Sequence, residues 1–121
     1  MSYTIDFDDT ALIVTVTYTG TSELDERLNA VSDVCAAYSQ LNPLRLLINV
    51  IHLDMQLSVA EQKSFGLHLA SNEDLKNTKV AVLHATGNNP NIIVDSTAYI
   101  KGYQLAQFDN KREAEEWLLQ F

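Results

Sequence analysis

Ser58 is the residue whose setting best suits regulatory chemistry. The segment Ser58-Val59-Ala60-Glu61 matches a capping box, in which the serine hydroxyl accepts from one free backbone N–H and the glutamate accepts from another. A phosphate on Ser58 would meet free N–H groups and the positive end of the helix dipole. A serine that only caps a helix produces the same pattern, because Glu61 already completes the box. Ser58 is therefore a candidate helix cap or phosphorylation site.

Polar residues follow two apolar segments that are typical of neighbouring strands. His52 and Asp54 come after one segment, and His84 and Asn88 come after the next. Open α/β sheets commonly bind ligands at the carboxyl edge of their strands, so these four residues are candidates for a polar ligand pocket. Their spacing matches no metal-binding motif, and histidines at strand ends also bond to backbone or water. We therefore predict no metal site.

A second set of candidates lies on the predicted third helix. Tyr99 and Tyr103 are four residues apart, and Ile93 and Ile100 belong to the same segment. If this helix lifts from the sheet, Ile93, Ile100 and Tyr103 would line a pocket for a small apolar ligand. Tyr99 and Tyr103 are also candidates for the lining of an apolar groove. Ordinary core packing is the alternative, because aromatic residues at helical spacing are common in cores. The preceding loop, 87–91, lacks the lysine and the glycine spacing of a phosphate-binding loop.

Three acidic clusters, at 6–9, 23–26 and 113–116, do not indicate a catalytic pair of carboxylates. General acid catalysis needs a carboxyl group that is desolvated enough to keep its proton. These clusters lie at a predicted turn and at helix beginnings, where negative charge is favoured and stays in water. No serine lies in a G-x-S-x-G elbow. We therefore predict no enzymatic activity and no cofactor.

The composition indicates one globular domain, 1–121, with an acidic surface. Sixteen acidic and eight basic side chains give a formal charge of −8, which disfavours nucleic acid and anionic membranes as partners. The longest apolar segment, LRLLINVIHL, is interrupted and too short to cross a bilayer, so no membrane insertion is expected. The start of the sequence has no secretory signal, and Cys35 has no second cysteine to pair with. These features predict a cytoplasmic protein.

Apolar patterns predict five strands, at 3–7, 12–18, 44–50, 79–85 and 104–108. The first two are joined by only Asp8-Asp9-Thr10, which predicts an antiparallel hairpin. One face of its second strand is made of Leu12, Val14, Val16 and Tyr18. The third strand is almost continuously apolar, which is typical of a strand covered on both faces, so we place it at the centre of the sheet.

Four helices are predicted between and after these strands. The first has apolar residues every three or four positions from Leu24 to Leu41, and it ends because Asn42 precedes a proline. The last has an apolar face that includes Phe121. The N-caps are predicted at Thr21-Ser22, Ser58, Asn89 and Asn110, with Pro90 as the first residue of the third helix and the second helix ending near Ser71.

Helices that join strands of one sheet imply parallel strand pairs with right-handed crossovers. The predicted fold class is therefore α/β, with a single mixed five-stranded sheet, an N-terminal antiparallel hairpin and about four helices. The order of elements, and Phe108-Asp109 followed by Glu113-Ala114 and Trp117-Leu118, resembles the SpoIIAA-like branch of the STAS domains, also described as STAS/SEC14-like. The resemblance covers nearly the whole chain.

This resemblance implies a SpoIIAA-like fold and a regulatory or binding domain rather than an enzyme. In sporulation-type anti-sigma factor antagonists, a partner kinase phosphorylates a serine of an Asp-Ser-Ser/Thr-Gly motif at the start of the second helix. The matching region, 54–61, contains Ser58 but lacks the Asp-Ser pair and the glycine. The SEC14-like part of the resemblance implies a small apolar ligand.

Two functions from different classes follow from these observations. The leading hypothesis is a cytoplasmic regulatory or protein-interaction domain with an unknown protein partner, able to form a homodimer through an exposed helix or sheet edge. The alternative is a small-molecule or lipid carrier. A third hypothesis, an enzyme that uses His52, Asp54 or His84, would require a strongly perturbed pKa in a shared cleft.

Overall fold

The structure, a computed structural model, describes residues 3–120. Strands β1 to β5 are Tyr3–Asp8, Ile13–Thr21, Leu44–Asp54, Thr78–Leu83 and Leu105–Phe108, and helices α1 to α4 are Leu24–Tyr38, Val59–Ser71, Ile92–Ile100 and Lys111–Leu118. A short 3₁₀ helix, Glu73–Leu75, follows α2. No helix within residues 3–120 is long and apolar enough to span a membrane. The predicted role of Phe121 in the last helix lies outside the described residues.

The five strands form one mixed sheet in the order β1-β2-β3-β4-β5. Strands β1 and β2 are antiparallel, and the other three neighbouring pairs are parallel. The predicted fold class, the hairpin and the central position of the third strand are therefore confirmed. Leu46 and Leu47 of β3 are both buried, on opposite faces of the sheet, which explains why that strand is almost continuously apolar.

The two faces of the sheet carry different layers of helices. One face packs against α1, α2 and α3, with Val16 and Val82 among its buried side chains. The other face packs against α4 through Leu47, Ala81 and Leu118. Because side chains alternate along a strand, neighbouring residues of β3 and β4 contribute to both layers.

The β1–β2 turn differs from the prediction at Leu12. Its backbone is in the left-handed region, with φ of 60°, and its side chain is exposed, so β2 begins one residue later. The Asp8 carboxylate accepts from the backbone N–H groups of Thr10 and Ala11, at 2.9 and 3.1 Å, and the Leu12 N–H donates to the Asp8 carbonyl oxygen at 2.7 Å. These bonds complete the turn before the strand starts.

Helix α1 is shorter than predicted at both ends. Its N-cap is Glu23, whose backbone N–H donates to the Glu26 carboxylate at 3.1 Å, whereas the predicted cap residue Ser22 is buried. The helix ends at Tyr38, because the chain turns there and the Leu41 N–H donates to the Tyr38 carbonyl oxygen at 3.0 Å.

Helix α3 also starts later than the predicted cap at Asn89. The side chain of Asn89 accepts from the Asn91 N–H at 2.9 Å, which folds the Asn89-Pro90-Asn91 segment into a turn. Asn91 is the N-cap, and its carbonyl oxygen accepts from the Asp95 N–H at 3.0 Å. Asn89 and Pro90, the predicted cap and first residue of the helix, therefore belong to this turn.

Helix α4 is held on its face of the sheet by two cations from the strands. Lys79 is buried over the Trp117 ring, with its Nζ 4.3 Å from the ring centroid, and it donates to the carbonyl oxygens of Trp117 and Gln120. Arg45 Nε donates to the Leu118 carbonyl oxygen at 2.8 Å. Cations favour the negative end of a helix, so these bonds stabilise the C-terminus of α4.

Helices α2 and α3 approach each other closely at Gly66. A Cβ atom at this position would lie 2.8 Å from Thr97 Cβ and 2.8 Å from the Val94 carbonyl oxygen. Glycine is therefore required by the close approach of the two helices, because one of the two contacting atoms belongs to the backbone.

We expect Gly66→Ala to destabilise the protein. The gain in helix propensity is about 1 kcal/mol, whereas overpacking costs about 1–3 kcal/mol and here presses against backbone. Urea unfolding should show a lower free energy of unfolding than the wild type. Ser64→Ala, at an exposed position of the same helix, is the matched control and should be neutral or slightly stabilising. A Gly66→Ala protein as stable as this control would contradict the close contact.

Candidate functional site

The guanidinium group of Arg27 is buried and lies over two aromatic rings. Arg27 lies in the first turn of α1 and is only 1% exposed. Its Cζ is 4.5 Å from the centroid of the Tyr18 ring and 4.8 Å from that of Phe65. A buried cation costs free energy unless it has partners, and contacts with ring faces offset part of that cost.

An amide group links Arg27 to a buried carboxylate. Arg27 Nη2 donates to Asn91 Oδ1 at 2.8 Å, and Asn91 Nδ2 donates to Asp95 Oδ1 at 2.8 Å. The other carboxylate oxygen, Asp95 Oδ2, accepts from Asn89 Nδ2 at 2.9 Å and from Gln107 Nε2 at 3.1 Å. Asp95 therefore has three amide donors of its own. We call Arg27, Asn89, Asn91, Asp95 and Gln107 the polar cluster.

The local sequence explains how the polar cluster forms. The turn at Asn89 precedes α3, and Asp95 follows Asn91 by four residues, which places both side chains on one side of the first helical turn. Arg27 comes from the turn of α1 that follows β2, and Gln107 lies near the end of β5. The polar cluster therefore lies at the carboxyl edge of the parallel strands, on the face covered by α1 to α3.

Burial changes the protonation chemistry of this region. Desolvation raises the pKa of Asp95, although the hydrogen bonds from Asn89, Gln107 and Asn91 and the charge of Arg27 oppose the change. Desolvation also raises the pKa of Tyr18, and the neighbouring Arg27 opposes that shift as well.

A small cavity lies beside the polar cluster, between the sheet and helices α1 to α3. Its volume is about 50 Å³. Arg27, Asn91 and Asp95 line it together with many apolar side chains, among them Val16, Val34, Leu46, Val80 and Val82. Two donors of Arg27, Nε and Nη1, are buried without a hydrogen-bond partner, and so is the hydroxyl of Tyr103, which also lines the cavity. Buried polar groups without partners are uncommon in folded proteins.

Comparison with solved structures identifies the architecture around this cavity. The chain is similar to the crystal structure of an uncharacterised protein of the DUF3478 family with a SpoIIAA-like fold from Shewanella loihica PV-4, with 17% sequence identity and a TM-score of 0.61. The match covers 96% of this chain and 91% of that one. This chain has the SpoIIAA-like fold. No protein-family model matches the sequence, and no curated protein matches it.

Within this SpoIIAA-like fold, Ser58 occupies the predicted position at the start of α2. Ser58 Oγ accepts from the Glu61 N–H at 3.1 Å, and the Ser58 N–H donates to Glu61 Oε1 at 2.9 Å. The predicted capping box is confirmed. Phosphorylation of Ser58 stays a prediction.

The SpoIIAA-like fold does not bring the predicted polar pocket together. A shift in the β2–β3 register follows Asn49, and beyond it Leu53 packs into the core beneath α1 to α3. Because side chains alternate, His52 and Asp54 on either side of Leu53 face the other way, and both are exposed. His84 is half-buried, and its Nδ1 donates to the Ala85 carbonyl oxygen at 2.7 Å, while Asn88 is exposed in the following loop.

The predicted apolar pocket is also corrected. Tyr99 and Ile100 are 65% and 78% exposed, and Ile93 does not line the cavity. Gly102, with φ of 92°, follows the end of α3, so Tyr103 does not share a helix face with Tyr99. Tyr103 turns inward and lines the cavity, and it is the one member of the two predicted sets that does so.

Sequence reasoning missed Arg27, Asn91 and Asp95. The apolar positions of α1 pointed to a face that includes Leu28 and Val31, which are only half-buried, whereas Arg27 and Ala30 are fully buried. The available signal was the pair Arg27 and Ala30. A basic residue and a small apolar residue three positions apart share one face of a helix, and that face is otherwise apolar. Within residues 3–120, no group of three or more His, Cys, Asp or Glu residues is arranged to hold a metal ion.

We expect Asn91→Leu to destabilise the protein strongly. The substitution removes the protein partner of Arg27 and one of the three donors to Asp95, and leaving a buried charge unpaired costs about 3–5 kcal/mol. Chemical denaturation measures the change. Asn88→Ala, at an exposed position of the same loop, should change the free energy of unfolding by no more than about 0.5 kcal/mol. Equal decreases in the free energy of unfolding for the two variants would contradict a stabilising role for the contact between Arg27 and Asn91.

Proposed function

We propose that this protein is a non-enzymatic domain that binds a small molecule in the cavity beside Arg27. The observation that carries the proposal is the buried guanidinium with two unpartnered donors on the wall of a mainly apolar cavity. A pocket with apolar walls and a few convergent polar groups is the usual form of a small-molecule site. The position at the carboxyl edge of the sheet also agrees with where open α/β sheets bind ligands.

The chemistry of the cavity wall supports binding rather than catalysis. Among residues 3–120, its lining contains no serine, cysteine, histidine or lysine, so most of the common nucleophiles and bases are missing from it. The carboxylate of Asp95 already accepts three hydrogen bonds from amide groups. A carboxylate held in this way orients its neighbours and is poorly placed to accept a proton from a ligand.

A native mass spectrum of the protein purified gently from its own cells tests this proposal. The wild type should retain a non-covalent small molecule. Ala30→Leu should lose it, because Ala30 lines the cavity and the larger side chain fills the space. Ala36→Leu, at an exposed position of the same helix, is the control and should retain the molecule. A bare mass for the wild type, or equal retention by both variants, would overturn the proposal.

A protein-interaction role is the second candidate, and the surface of α3 favours it. Ile92, Tyr99 and Ile100 lie on one side of this helix and are 46%, 65% and 78% exposed. Clustered exposed apolar side chains are typical of interaction surfaces. A second copy of the chain is the partner that we propose for this surface. Regulation through a phosphate on Ser58 belongs to the same candidate, as does a cytoplasmic location, which the free thiol of Cys35 supports.

Analytical ultracentrifugation tests the homodimer. The wild type should sediment as a dimer at high protein concentration, and Ile100→Ser should shift it to the monomer by removing the most exposed apolar side chain of the α3 surface. Leu119→Ser, which changes an exposed leucine next to α4, should leave the dimer intact. A wild type that is monomeric at every concentration would contradict the dimer.

A further inference from the structure

Arg27 has more hydrogen-bonding capacity than the protein around it uses. An arginine side chain only donates hydrogen bonds and stays charged in proteins. Nη2 donates to Asn91 Oδ1, and the guanidinium lies near enough to the Tyr18 hydroxyl to oppose the rise of its pKa, while Nε and Nη1 are buried without a well-formed hydrogen bond. The Asp95 carboxylate does not supply the missing acceptor, because its three donors are the amides of Asn89, Asn91 and Gln107.

Apart from the tyrosine hydroxyls, Asn91 and Asp95, the described cavity wall is apolar and offers no acceptor. The guanidinium lies over the rings of Tyr18 and Phe65, which restrict the directions from which a new partner can approach it. The neighbouring lining is made of valine and leucine side chains. An occupant that satisfies this site needs acceptor atoms at one end and an apolar body at the other.

We propose that the cavity binds a short-chain monocarboxylate, whose carboxylate accepts hydrogen bonds from the free donors of Arg27. This inference rests on the proposed small-molecule function and names the class of ligand. Charge-assisted hydrogen bonds between guanidinium and carboxylate are about twice as strong as neutral ones, and they compensate a buried cation. The apolar body of the ligand contacts Val34, Leu46 and Val82, and its size excludes water from them.

The size of the cavity limits the ligand. A water-sized group needs about 10–15 Å³ and benzene about 150 Å³, so a cavity of about 50 Å³ accommodates a ligand of only about three or four non-hydrogen atoms in all, which is the size of acetate. The close contact of Gly66 with α3 ties α2 and α3 together, so a larger ligand would have to displace both helices. Phosphate fits less well than a monocarboxylate, because it has five non-hydrogen atoms and, as a dianion, twice the charge to place beside the buried Asp95 carboxylate.

A titration with acetate and its neutral isostere acetamide tests the inference. The binding of each is followed by the amide signals of the cavity-lining residues in ¹H–¹⁵N NMR spectra. The wild type should bind acetate about tenfold or more tightly than acetamide, as the strength of charge-assisted hydrogen bonds implies. Arg27→Gln should lose this preference. Arg112→Gln, which removes a cation that is exposed on the surface, should keep it.

The outcomes separate the inference from the proposed function. Equal binding of acetate and acetamide by the wild type would overturn the carboxylate inference and leave a small-molecule site. Binding of neither probe, together with a retained molecule in the native mass spectrum, would overturn the ligand class alone, and a bare native mass would overturn both. If Arg27→Gln does not fold, the comparison of the two probes on the wild type still decides the inference.

Discussion

The burial of the Arg27 guanidinium is the constraint on which the interior of this molecule depends. A cation in an apolar interior must be compensated, and here the compensation comes from β2 through Tyr18, from α2 through Phe65 and from the start of α3 through Asn91. The opposite face of the sheet provides a useful contrast. There the buried Lys79 donates to two carbonyl oxygens of the chain at the end of α4, so that no ligand is needed. Arg27, with two nitrogens that lack a well-formed hydrogen bond, has no such solution within the protein, and the cavity beside it is where a partner would fit.

Much of the fold was predictable from the sequence because it depends on local patterns. The short Asp8-Asp9-Thr10 connection requires a hairpin, and the almost continuous apolar segment of β3 requires cover on both faces of the sheet. The capping box at Ser58 depends on two residues three positions apart, and it formed as predicted. The errors occurred at ends of elements. Leu12 and Asn89 lie where hydrogen bonds of a turn compete with the start of a strand or helix.

The candidate site was much less predictable because its residues are distant in the sequence. Arg27 and Asn91 are separated by 64 positions, and no local pattern connects them. The polar cluster lies at the carboxyl edge of the sheet, where the sequence had also suggested a site, but the residues chosen there, His52 and Asp54, are exposed. The register shift in β3 turns His52 and Asp54 away from the helices, and no feature of the segment itself signals the shift. Tyr103 does line a cavity, as predicted. Its predicted position on the face of α3 was wrong, because the helix ends before Gly102 and Tyr103 follows that turn.

A high-resolution crystal structure of the protein purified from its own cells tests the central claim most directly, namely that Arg27 is buried, charged and short of acceptors. The account predicts electron density for a small molecule in the cavity, with oxygen atoms within hydrogen-bonding distance of Arg27 Nε or Nη1, and the guanidinium over the rings of Tyr18 and Phe65. An Arg27 side chain that reaches solvent, or a cavity filled by protein side chains that accept from both nitrogens, would contradict it.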